Sequence, residues 1–130
     1  MSERRVVAPA TLDVDQRLNV GGIVQELLVD LIDLALQAKQ AHWNLRGPMF
    51  RDLHLLLDEL VGAAHGYADL MAERCLAVGI AADGRAATVA AASHLDSFPE
   101  GRIGDRRGVA QLVERLRLVS EGGRSRLRGV

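Results

Sequence analysis

Residues 49–78 read MFRDLHLLLDELVGAAHGYADLMAERCLAV. The stretch is mostly Leu, Val and Ala, with Gly47-Pro48 forcing a turn before it and Gly79 placed to stop it. It reads as one long helix from about Met49 to Val78. Within that apolar run His54, Asp58, His65, Asp69 and Glu73 recur at steps of four, seven, four and four. At 100° per residue, with His54 as zero, they lie at about 0°, 40°, 20°, 60° and 100°, a single stripe.

Every member of that stripe is able to ligate a metal. The ordinary alternative is the solvent-facing side of an amphipathic helix, which normally carries polar residues. Two details weigh against it. The stripe holds no Lys or Arg and none of the usual i,i+4 Glu–Lys pairs. Acceptor groups crowded together repel one another unless a cation or protons intervene. His65 is the weakest member, since a lone His is more often a surface residue or a satisfied core residue than a ligand. A mixed His and carboxylate set suits divalent iron, zinc or manganese. Iron with open coordination positions passes electrons to an oxidant; zinc, with no redox chemistry, is a competitor for the same ligands.

Outward from this helix, the preceding segment predicts another. From about Gln16–Val20 to Trp43 the apolar residues Val24, Leu27, Leu28, Leu31, Leu34, Ala35 and Ala38 follow helical spacing. Val29, Ile32 and Leu36 widen the stripe beyond one face, as in a helix with neighbours on more than one side. Residues 1–15 read as a flexible or extended arm. Residues 79–104 form a long connection in which Ala86–His94 makes a short helix. Asp105 caps a third helix carrying Val109, Leu112, Val113, Leu116 and Val119, and Gly122-Gly123 is expected to stop it, leaving 122–130 as a basic tail. The domain proper is then 16–121, and the fold class is all-α.

The 130-residue chain suits one domain. A formal net charge of −1 gives no global field toward nucleic acid or membrane. Arg4 and Arg5 at one end, and Arg124, Arg126 and Arg128 at the other, form small basic clusters. Such clusters hold phosphates when displayed many times, and are otherwise solvated termini. Cys75 is the only cysteine, so no intrachain disulfide forms, which fits a reducing cytoplasm. There is no run of 18 apolar residues for a membrane span. No Ser-His-Asp triad, phosphate-binding loop or cysteine zinc motif is evident.

The run His42-Trp43-Asn44-Leu45-Arg46-Gly47-Pro48-Met49-Phe50, then Leu53-His54, Leu57-Asp58-Glu59 and Asp69-Leu70-Met71-Ala72-Glu73-Arg74, resembles the signature of the Dps family. These are bacterial mini-ferritins named for DNA protection during starvation. The likeness covers about residues 17–120 and is strongest over 38–79. His-Trp-Asn alone is weak. Joined to a Gly-Pro turn, a second His twelve residues on, then Asp fifteen and Glu nineteen residues later, it is highly specific.

The resemblance implies a ferritin-like helical bundle and roles for these residues. His42 and His54 are expected as ligands from one subunit, with Asp69 and Glu73 contributed to the partner's site across a twofold axis. Asp58 matches a further acidic position, and Trp43 a tryptophan beside the iron that donates an electron or absorbs an oxidising equivalent. The implied activity is oxidation of Fe²⁺, preferentially by hydrogen peroxide, with storage of ferric mineral in a hollow dodecamer. Geometry agrees with sharing: His54 and Glu73 are about 28 Å apart along one helix and do not reach one ion from a single copy. An antiparallel second copy brings them together. The Glu-x-x-His motif of larger ferritin-like bundles is absent.

The family has a fourth long helix after the third. Here Ser120–Val130 reads SEGGRSRLRGV, so the bundle is expected to lack that helix, as in a truncated or frame-shifted form. Two further functions stay open: a non-specific DNA-binding, nucleoid-associated protective protein without turnover, and a metal-binding fragment.

Overall fold

The computed structural model describes residues 12–128. The elements are α1 (Val14–Asn44), β1 (Leu45–Arg46), α2 (Phe50–Ala77), α3 (Ala86–Ala92), β2 (Ile103–Gly104) and α4 (Asp105–Arg128). The expected helical hairpin, crossover with a short helix, and further long helix are all present. Residues 1–11 of the expected arm lie outside the described residues.

Helix α1 starts earlier than its apolar spacing suggests. Asp13 and Gln16 form a capping box: the Asp13 carboxylate accepts from the Gln16 backbone N–H (2.8 Å), and the Asp13 N–H donates to the Gln16 side chain (3.0 Å). Two otherwise unpaired helix-start donors are thereby satisfied. At the other end the chain turns at Gly47, where φ is +132°. A side chain there would collide with the Asp105 carboxylate, so the position needs glycine twice over. That carboxylate accepts from the Met49 N–H (3.0 Å) and the Arg106 N–H (2.7 Å). It therefore ties the start of α2 to the start of α4.

Helix α1 is the centre of the bundle. Antiparallel α2 packs along it through small residues, with Ala35, Ala38 and Ala41 against Leu57, Val61 and Ala64. β1 pairs parallel with β2, Leu45 opposite Ile103, so α4 begins where α1 ends and runs back along it. Leu45 and Ile103 are among the most buried side chains. α2 and α4 touch each other far less than each touches α1.

Two buried polar clusters hold the crossover. Arg115 on α4 donates to the Gln37 side chain (3.0 Å) and to the Ser97 carbonyl (3.0 Å), while Gln37 donates to the Asp96 carbonyl (2.8 Å). Asp30 on α1 accepts from the His94 N–H (3.0 Å) and from Arg126 (3.2 Å), which also donates to Glu26 (3.0 Å).

The second cluster explains a correction. Gly122-Gly123 does not end the last helix; α4 continues through both to Arg128, so 122–128 is helix rather than tail. Gly123 is buried on Leu27, and a Cβ there would come within 2.8 Å of a Leu27 methyl. Close packing against α1 and the Arg126 pairs outweigh the roughly 1 kcal/mol per glycine that favours unwinding.

Candidate metal centre

The two expected histidines sit at the turn end of the hairpin, one near the end of α1 and one near the start of α2. Their rings stack with centroids 3.6 Å apart and planes 14° from parallel. Each Nδ1 lies on the other residue's carbonyl: His42 Nδ1 to the His54 oxygen at 2.6 Å, His54 Nδ1 to the His42 oxygen at 2.7 Å. A carbonyl only accepts, so both Nδ1 atoms carry hydrogen. Both Nε2 atoms of the neutral rings are then left with lone pairs. Backbone hydrogen bonds fix tautomer and orientation together, as supporting contacts do around metal-binding histidines. Phe50 stacks on His54, with centroids 4.9 Å apart.

Asp58 lies one turn beyond His54 and forms an ion pair with Lys39 on α1 (2.7 Å). The hydrogen bond from Lys39 and its charge hold the Asp58 carboxyl below the usual carboxylate range, with the two histidines adding a smaller pull. Sequence reading found no cation within the stripe, and that holds for α2 itself; the cation arrives from the neighbouring helix. The signal was available in the hairpin register. His42 faces His54, so Lys39, one turn earlier on α1, falls beside Asp58, one turn later on α2.

Asp69 and Glu73 occupy the far half of α2 and are exposed. They stand about 22 and 28 Å along the helix from His54. The chain thus brings together His42 and His54, with Asp58 one turn along α2 on Lys39, and does not bring Asp69 or Glu73 to them. Among the described residues no three His, Cys, Asp or Glu side chains of one chain converge to hold a metal ion. His65 is exposed on the same helix. Trp43 projects from the last turn of α1 with 62% of its surface exposed, so it does not serve as packing within the chain.

The ferritin-like domain family matches residues 23–119, most of the chain. A crystal structure of Dps92 from Deinococcus radiodurans is 35% identical with a TM-score of 0.75, over 89% of this chain and 68% of that one. The chain belongs to the Dps family. Another Dps structure, from Mycobacterium smegmatis, superposes with a TM-score of 0.88 at 26% identity, covering 99% of this chain and 76% of that one. DNA protection during starvation protein 2 of D. radiodurans is 41% identical over 111 residues, 85% of this chain and 44% of that protein. The chain spans about half the length of the curated relatives it matches, 44–54% for the first three. No helix among the described residues of this Dps-family chain is long and apolar enough to cross a membrane.

Proposed function

We propose that two copies of this chain pair to bind and oxidise ferrous iron. The reading rests on one observation above all: the reciprocal His42–His54 exchange, which leaves two fixed Nε2 lone pairs with no partner side chain among the described residues. Iron is the substrate. The two histidines of one copy hold it together with Asp69 and Glu73 of the other, and Asp58 stands beside them as a carboxylate kept charged by Lys39. Mixed imidazole and carboxylate ligation is the donor set that suits Fe²⁺ and stabilises Fe³⁺.

Hydrogen peroxide is the proposed oxidant. Two Fe²⁺ each give up one electron, the O–O bond takes both, and two hydroxide ions leave as two Fe³⁺ form. Delivering both electrons together avoids a one-electron cleavage that would release hydroxyl radical. The exposed Trp43 is placed to absorb a stray oxidising equivalent. Storage of the ferric product in a larger cage, a dodecamer as the family resemblance implies, would follow from further assembly of such pairs in the cytoplasm.

Ferric absorbance after peroxide addition to iron-loaded protein tests the activity. A His54→Ala, Asp69→Ala double variant that oxidises iron as fast as the parent refutes the site assignment. The nucleic-acid reading has less support. Of the three arginines near the end of α4, Arg126 is committed to Glu26 and Asp30, leaving Arg124 and Arg128 exposed.

A further inference from the structure

The charges on α2 follow opposite rules on its two sides. A helix start favours anions and a helix end favours cations. Asp52 in the first turn and Arg74 in the last obey this. With His54 as zero they lie at about 160° and 200°, away from the ligand stripe. On the stripe the order is inverted. Arg51, at about 60°, puts a cation in the first turn, while Asp69 and Glu73, at about 60° and 100°, put anions in the second half. Asp58, between them, is already met by Lys39. Arg51 is exposed and pairs with no carboxylate among the described residues. Its neighbours at i+3 and i+4 are His54 and Leu55, so its own helix offers it none. At the far end of the same face Leu76, at about 40°, is 61% exposed, just before the chain turns at Gly79 with φ +81°. Beyond it the Ala77 carbonyl accepts no backbone hydrogen bond among the described residues.

A face inverted in this way is unfavourable alone and favourable against an antiparallel copy of itself, because each helix start then lies on the other's end. The proposed iron pair is such an arrangement, and the contact described here rests on that reading. Bringing the partner's Glu73 to His54 sets Arg51, three residues before His54, opposite the partner's Leu76, three residues after Glu73. The step along the helix from the shared ion is about 4.5 Å, within the reach of an arginine. Helical side chains lean toward the helix start, which carries the guanidinium past the partner's Leu76 to the end of the partner's α2. We infer that Arg51 is a positioning residue. Its methylene stem covers the partner's Leu76, and its guanidinium donates to the last carbonyls of the partner's α2. The contact is made twice per pair and fixes the register in which the partner's Asp69 and the partner's Glu73 meet the two histidines.

Sedimentation equilibrium of the full chain, with peroxide-driven iron oxidation measured alongside, tests this. Arg51→Glu should weaken pairing by about tenfold, and oxidation at protein concentrations near the parent's dissociation constant should fall with it. The same change puts an anion at a helix start, so in dilute, unpaired protein it should raise the urea midpoint. A simple folding defect would lower both. Leu76→Arg alone should weaken pairing, since it sets a cation against Arg51. Combining Arg51→Glu with Leu76→Arg restores opposite charges and should recover pairing. The inference is overturned if Arg51→Glu pairs as tightly as the parent, or if the combined variant pairs no better than Arg51→Glu alone. If mixed His54→Ala and Glu73→Ala chains recover oxidation while Arg51→Glu changes nothing, the shared site stands and the role of Arg51 does not. A parent chain that never pairs removes both.

Discussion

Consider one preparation of chains carrying His54→Ala and another carrying Glu73→Ala. Each alone forms pairs in which every proposed site lacks a ligand, so each should oxidise iron at close to the rate of iron and peroxide without protein. When equal amounts are unfolded together and refolded, random pairing makes about half of the dimers mixed. In a mixed dimer one site draws its histidines from the Glu73 variant and its carboxylates from the His54 variant, and is intact. The other site carries both lesions. About a quarter of all sites should therefore recover, and the initial rate of ferric absorbance should rise to about a quarter of the parent's. The separation along α2 makes this decisive. Metal–ligand bonds are about 2 Å long, whereas His54 and Glu73 of one copy stand about 28 Å apart. A site within one chain cannot be rebuilt by mixing. A mixture no faster than its components, from protein shown to pair, would sink the shared-site reasoning.

Four further outcomes follow from the fold. Gly123→Val should destabilise the protein by about 1–3 kcal/mol in urea unfolding, because the new side chain enters the space of Leu27; a neutral result would show that α4 does not seat there. Asp30→Ala should cost about 3–5 kcal/mol, since a buried carboxylate with partners on the crossover and α4 is lost and Arg126 loses a partner. Lys39→Met should raise the Asp58 titration midpoint, followed by carboxyl NMR, toward the usual range. Because Asp58 is held low in the folded chain, the pair's small stabilising effect is present above the ordinary carboxylate pKa and lost as pH falls through the depressed one; an unmoved midpoint contradicts the pairing. Cys75 is fully buried and burial pushes its thiol pKa up, so a thiol reagent should react with it only on unfolding, and rapid native-state reaction would contradict that packing.

The elements that were legible from sequence are those specified by nearby residues. The apolar runs of α1 and α2, the Gly47-Pro48 turn and the short Ala-rich α3 each announce themselves within a few positions. The features that were not legible depend on distant partners. Continuation of α4 through Gly122-Gly123 is set by Leu27 on α1 and by Glu26 and Asp30 with Arg126, about 100 residues apart in sequence. Pairing of Leu45 with Ile103 leaves no local mark in either two-residue strand. The early start of α1 is different, because Asp13 and Gln16 are a readable cap that apolar spacing alone overlooks. In the site, the stripe pointed to His54 and Asp58, and the family signature added His42. The mutual carbonyl contacts of the histidines and the Lys39 charge need the hairpin in three dimensions.

The histidine exchange joins residues only twelve apart, whereas the Asp105 bond to Met49 spans 56. Closing the longer loop costs about 1.4 kcal/mol more chain entropy than closing the shorter one. The imidazole half of the proposed pocket is consequently a product of the first hairpin, available as soon as α1 and α2 have met and before the crossover returns. A nascent chain would carry its nitrogen donors in position while the rest of the bundle was still being synthesised.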